Sequence, residues 1–156
     1  MKRNWKTYLF WIALAEGVGL LAGFLTRDGV AWFTENAMKP PLNPPAVVFP
    51  IVWTILYALM GISAARVSLT QPSDARNRGQ NLFLIQLGVN FLWSILFFTV
   101  RDYGAALALL LVLWVLLAAM VLAFDRVDSP AAWLQVPYLV WVTFAAYLNW
   151  GVSVLN

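Results

Sequence analysis

Residues 39–50 read KPPLNPPAVVFP, and five of the chain's eight prolines fall in these positions. The flanking sequence is mostly apolar and reads as helix. One proline is enough to stop a helix at a membrane edge. Pro40, Pro41, Pro44 and Pro45 instead fix φ at four nearby positions, so the segment loses little entropy when it lies across a bundle. Asn43, between the two pairs, is a residue type that bonds local backbone and holds a turn. Phe49 and Pro50 belong to the first turns of the next helix, just ahead of Trp53. The stretch separates a plain bundle from a bundle with a roofed pocket. It reads as a rigid lid, with Lys39 placed to meet an acidic group at its mouth and Pro44 over the pocket.

The composition says what surrounds such a lid. The 156 residues are 62% hydrophobic and 11% charged, with a mean hydropathy of +0.76. A soluble domain carries about 25% charged residues. This chain cannot cover its surface with polar groups, so a lipid bilayer is its expected solvent. Cysteine and histidine are both absent. That excludes disulfides, thiolate metal sites, His-ligated haem and histidine-activated nucleophiles. No metal site is expected and no cofactor is required. The net charge of +3 is small, and no basic run interleaves with aromatics, so nucleic acid is not an expected partner.

Charges divide the chain into five stretches near 5–26, 47–68, 80–100, 103–124 and 130–154, with a lid loop over 27–46. Each reaches the ~20 apolar residues that a crossing helix needs. Backbone groups in lipid must be satisfied internally, which makes these stretches helices. No alternating barrel pattern is present. The expected fold is an all-α integral membrane protein, a five-transmembrane-helix bundle forming one domain over 1–156. The length of the first stretch, its Glu16 and the lack of a small-residue cleavage site mark it as a retained span rather than a signal peptide. Pro130 suits the first turn of the last helix. Lys2, Arg3, Lys6, Arg66, Arg76, Arg78 and Arg126 fall on one side of the membrane, and Arg27, Lys39 and Arg101 on the other. This asymmetry predicts a cytoplasmic N-terminus, with the lid and C-terminus on the outer side.

Three helix faces carry the chemistry. Gln86, Asn90, Trp93 and Phe97 share one face of the third span by their i, i+4, i+7, i+11 spacing. A carboxamide in hydrocarbon is costly unless it finds a partner. The face therefore either bonds neighbouring helices or lines a cavity where amides orient a bound molecule. Phe49, Trp53, Tyr57 and Met60 form a stripe on the second span. Tyr138, Trp141, Ala145 and Leu148 form another on the fifth, just after Pro137, whose ring frees a backbone carbonyl. Of the nine tryptophans, Trp53, Trp93 and Trp141 lie well inside apolar runs, where an interfacial belt explains them poorly. Aromatic stripes usually serve packing. Three that each carry a mid-membrane Trp also fit a flat apolar slot with a few polar groups, the usual form of a small-molecule site. Ala145 keeps such a slot open. Glu16 is the only carboxylate deep in a span and a functional candidate on that ground. Its simplest reading is a protonated acid bonded to a nearby backbone carbonyl. Gly19 and Gly23 allow close helix contact within or between chains.

Taken in order, the anchors are Lys39-Pro40, Asn43-Pro44-Pro45, Phe49, Trp53-Thr54-Ile55-Leu56-Tyr57 and Met60-Gly61. Gln86-Leu87, Asn90, Trp93-Ser94 and Leu96-Phe97-Phe98 follow. The last set is Pro137-Tyr138-Leu139, Trp141, Phe144-Ala145 and Leu148-Asn149. This pattern resembles the TspO/MBR family, the tryptophan-rich sensory proteins of bacteria and the translocator proteins (peripheral-type benzodiazepine receptors) of mitochondria. The resemblance runs from the first span to the C-terminus. It implies a five-helix bundle, often a homodimer, acting as a membrane receptor or sensor that binds porphyrins or other flat apolar molecules beneath the lid. Synthetic ligands and, in eukaryotic members, cholesterol are also associated with it. Carried over by position, Trp53, Tyr57, Asn90, Trp93, Trp141 and Ala145 would line the site. The resemblance also implies two alternatives. One is light- and oxygen-dependent porphyrin breakdown, with porphyrin as substrate and Trp53 and Trp141 as the catalytic residues. The other is transport of porphyrin or sterol. Two positions depart from the family pattern: Leu42 stands where the lid normally has Trp, and no Lys or Arg follows Tyr147, as a sterol-type pattern would require.

Overall fold

The computed structural model describes residues 4–156, so Lys2 and Arg3 of the charge count lie outside the described residues. The helices are α1 (Asn4–Leu25), α2 (Arg27–Asn36), α3 (Val48–Ser68), α4 (Asp74–Ser94), α5 (Tyr103–Asp125) and α6 (Ser129–Leu155). A π-helical turn, Ile95–Val100, extends α4 without a break. Five units are long and apolar enough to cross a bilayer: α1, α3, α4 with its π turn, α5 and α6. The fold is an all-α, five-span transmembrane bundle. With a lipid exterior, the exposed Leu9, Phe10, Leu20 and Leu122 need no further cover.

Local chemistry sets the ends. The Ser73 hydroxyl accepts the Arg76 amide at 3.0 Å, which starts α4 at Asp74 rather than near residue 80. That first turn and a half is polar, so hydrophobicity alone placed the start too late. Asp102 caps α5 by accepting the Ala105 amide at 3.0 Å. Arg101 ends the π turn in the left-handed region at φ 62°. Asp128 caps α6 through the Ala131 amide at 3.1 Å and also takes the Arg66 Nε of α3 at 2.7 Å. Helix α6 runs through Pro137 without interruption.

The expected lid loop needs a correction. Residues 27–36 are helical, and irregular backbone is confined to residues 37–47. Val30 and Phe33 give α2 an apolar face one turn apart. Gly29 lets the helix settle against the Phe98 carbonyl, a contact that a Cβ would block.

Around the bundle the order is α1, α3, α6, α5, α4, with α1 meeting α4 only lightly. Lipid tails are as apolar as leucine, so helices in a bilayer associate through close packing and hydrogen bonds. Both are present. Gly61 of α3 lies directly against the Ile12 backbone of α1. Ser63 of α3 donates to the Ala131 carbonyl of α6 at 2.6 Å. At Gly61 a methyl group would fall on backbone atoms, which cannot swing aside. Gly61→Ala is predicted to lower the thermal unfolding midpoint in detergent. Gly17→Ala, where a Cβ meets nothing within 4 Å, should match or exceed the wild type, because alanine favours helix over glycine. Equal midpoints for wild type and Gly61→Ala would refute this close crossing.

Candidate functional site

The described residues enclose a cavity of about 840 Å³ between α1, α3, α4 and α6, beneath α2 and the proline segment. Its size falls within the roughly 300–1,000 Å³ of small-molecule pockets. Each wall comes from one helix face. Helix α3 contributes Phe49, Trp53 and Tyr57, α4 with its π turn contributes Asn90, Trp93 and Phe97, and α6 contributes Trp141, Ala145 and Leu148. The roof is Lys39, Asn43, Pro44 and Pro45, together with Val30, Phe33 and Thr34 of α2.

The rings form two pairs, one tilted and one stacked. Trp53 and Tyr57 lie 5.6 Å apart at 33°, and Trp93 and Phe97 lie 5.2 Å apart at 30°. Phe49 packs edge-on to Trp141 at 5.9 Å. Hydrogen bonding sets the orientation of Trp93: its Nε1 donates to Asn149 Oδ1 at 3.0 Å, and Asn149 Nδ2 donates to the Tyr103 carbonyl at 2.9 Å. The Trp141 Nε1 is buried and has no hydrogen-bond partner among the described residues.

Ten of the twelve residues expected at the site border the cavity. Gln86 and Tyr138 do not; they are 0% and 1% exposed. Asn90 Nδ2 donates to the Tyr138 hydroxyl at 2.9 Å, and that hydroxyl donates to Gln86 Oε1 at 2.7 Å. Gln86 thus serves interhelical bonding, while Asn90 does that and lines the cavity as well. The reason is satisfaction: a deeply buried phenol needs both an acceptor and a donor, and α4 supplies them.

Lys39 lines the cavity and is also bonded within the lid. Its ammonium donates to the Thr34 and Ala37 carbonyls at 3.1 and 2.9 Å and sits 5.1 Å over the Phe33 ring. It caps the carbonyl end of α2, a favourable place for a cation, and its partners among the described residues are carbonyls. Among the described residues Glu16 has no hydrogen bond to a backbone carbonyl. It borders the cavity half-buried. Gly19 abuts the Tyr57 ring, whereas a Cβ at Gly23 would meet nothing, so only half of the glycine pair serves contact within the chain.

The two proline pairs of the lid divide the work. Pro40 is buried against Gly151 of α6, and the Pro41 carbonyl accepts the Tyr147 hydroxyl at 2.8 Å. Pro44 and Pro45 face the cavity. The turn between them closes through Asn43 N to the Pro40 carbonyl at 3.3 Å, with Leu42 at φ 71°. Such a position favours glycine. Leu42 is 80% exposed and not part of the lining. Asn156 completes the attachment, accepting the Met38 amide at 3.1 Å and donating to the Met38 carbonyl at 2.8 Å.

Sequence reasoning missed Asn149 as the anchor of Trp93, and it missed the contribution of α2. The spacing of Val30, Phe33 and Thr34 carried the second signal. For Asn149 the signal was its polarity inside an apolar span.

Asn156→Ala removes both bonds to Met38. The Met38 amide is predicted to exchange with deuterium about fivefold faster, as expected for the loss of roughly 1 kcal/mol of local protection, while amides within α5 stay unchanged. Unaltered exchange at Met38 would mean that Pro40 and Tyr147 hold the lid alone.

The TspO/MBR family model matches residues 11–155 of the chain. The chain is 40% identical to the tryptophan-rich protein TspO of Chlorobaculum tepidum, covering 100% of this chain and 99% of that protein. It is 37% identical to the tryptophan-rich sensory protein of Cereibacter sphaeroides, covering 100% and 95% respectively. It is also 34% identical to the human translocator protein, over 89% of this chain and 84% of that one. With a family model spanning almost its whole length and five membrane-crossing helices arranged around an aromatic cavity, the chain belongs to the TspO/MBR family of integral, multi-pass membrane proteins.

Proposed function

We propose that this protein is a membrane receptor or sensor that binds a porphyrin or similar flat, apolar molecule in the cavity beneath the lid. The observation that carries the proposal is the pair of aromatic walls, Trp53 with Tyr57 and Trp93 with Phe97, around a space of about 840 Å³. Aromatic faces favour offset stacking with a flat π-system. Asn90 adds an amide at the edge of the cavity, and Lys39 and Arg27 add cations at the lid end. The names of two relatives, a sensory protein and a translocator protein, agree with a role in recognition. The reading needs no resident cofactor, since porphyrin itself is the ligand.

The test is titration of the purified protein with protoporphyrin IX, read by tryptophan fluorescence. Saturable quenching is expected, and free porphyrin should bind at least as tightly as haem, because the chain has no histidine or cysteine to ligate iron. Ala145→Phe should weaken binding at least tenfold while leaving helix content unchanged, because a ring there occupies the slot. Binding unaffected by Ala145→Phe would place the ligand elsewhere.

The second reading is photochemical, with porphyrin as substrate. Its support is that both Trp53 and Trp141 border the cavity, within reach of an excited porphyrin as electron-donating indoles, with dioxygen as the oxidant. Under illumination, a Trp53→Phe, Trp141→Phe double variant that retains binding should lose any bleaching beyond that in empty detergent. Bleaching equal to wild type would remove the protein-catalysed version.

The proposal also includes a homodimer, supported by family membership and checked by cross-linking in native membranes. It places the N-terminus in the cytoplasm on the Lys/Arg asymmetry. Labelling of single introduced cysteines, none being present natively, would check that orientation.

A further inference from the structure

The polar groups of the cavity wall are nearly all spent on the protein itself. Thr26, Thr34 and Thr54 each donate to a carbonyl one turn back. Asn90 and Asn149 are held as described, and Arg27 donates to the Phe24 carbonyl at 2.6 Å. Apart from the indole N–H groups, two lining side chains have no side-chain hydrogen bond among the described residues: the Glu16 carboxyl and the Tyr57 hydroxyl. They are neighbours in space. Gly19, one turn beyond Glu16 on the same face of α1, abuts the Tyr57 ring.

Among these unspent groups Glu16 stands alone in kind, because an ionised carboxylate only accepts, whereas the phenol and indoles donate. It is also set apart from the cations. Leu25, at the lid end of α1, lies nine positions farther along, roughly 13 Å of helix. Arg27 and Lys39 lie beyond that end. The cavity is therefore polarised along its length, cationic under the lid and acidic at depth. An unpaired carboxylate at membrane depth is costly, and a donor arriving with an occupant relieves that cost.

We infer that Glu16 is a specificity-determining binding residue, one that receives a nitrogen-borne hydrogen-bond donor, an amine or ring N–H, from the inner end of a flat ligand. The inference rests on the cavity being the ligand site. Acidic substituents of the same ligand would face Arg27 and Lys39, and an N–H would face Glu16 with Tyr57 alongside.

The experiment uses the full chain in detergent, with empty micelles as control and three probes: proflavine, a flat cation bearing amino groups; acridine, its neutral relative without an N–H; and protoporphyrin IX. Wild type should favour proflavine over acridine. Glu16→Leu should weaken proflavine about tenfold, the scale of one charge-assisted hydrogen bond, and leave acridine unchanged. Glu16→Gln, which keeps an acceptor without the charge, should fall between. Acridine binding by each variant shows that the cavity is still formed. Proflavine affinity equal in wild type and Glu16→Leu, with protoporphyrin still bound by both, would overturn the role of Glu16 and leave the cavity reading standing. Failure of the wild type to bind any of the three would overturn the cavity reading, and this inference with it.

Discussion

Inside a bilayer no water is available to satisfy a polar group, so each one must find its partner within the protein. That constraint makes the five spans helical and then decides what happens between them. The Tyr138 hydroxyl bridges Asn90 and Gln86, Asn149 links the Trp93 indole to the Tyr103 carbonyl, and Ser63 closes on the Ala131 carbonyl. Each of these bonds joins two helices. The bonds of Tyr138 and Asn149 also hold Asn90 and Trp93, which border the cavity. Structure and recognition here use the same polar atoms, and a group left over from the first task is available for the second.

The roof obeys a related rule. Chain that leaves a helix at the membrane edge must anchor its own backbone. Proline reduces the problem by removing donors and fixing φ. The remaining carbonyls and amides are taken up from α6: Tyr147 reaches Pro41, and Asn156 grips both polar atoms of Met38. Helix α2 solves the rest by bonding internally, with Lys39 at its carbonyl end. The lid is thus a short helix docked on the π turn through Gly29 and Phe33, followed by a turn braced on α6.

The spans themselves were legible because hydrophobic length is a one-dimensional property, and the order of anchors from Lys39 to Asn149 was enough to indicate the family. Ten of the expected site residues border the cavity because helical spacing tells which side chains share a face. The same spacing could not tell how deep a face extends. Gln86 and Tyr138 lie on the right stripes but beneath the cavity, because the phenol reaches α4 and is satisfied there. The start of α4 and the whole of α2 escaped a reading based on hydrophobicity, since both are polar helix at the membrane edge, where capping and docking decide the structure.

By itself the sequence determined the solvent, the number of spans, the three aromatic stripes and the stiffness of the proline segment. These follow from composition and from the periodicity of a helix, which need no knowledge of neighbours. Only the tertiary structure decided which polar atoms are paired, how Lys39 is occupied, that Leu42 lies outside the lining, and that Glu16 borders the cavity without a hydrogen-bond partner among the described residues. Pairing depends on which helices meet and at what depth, and residues as distant as Met38 and Asn156 meet only when the bundle has closed.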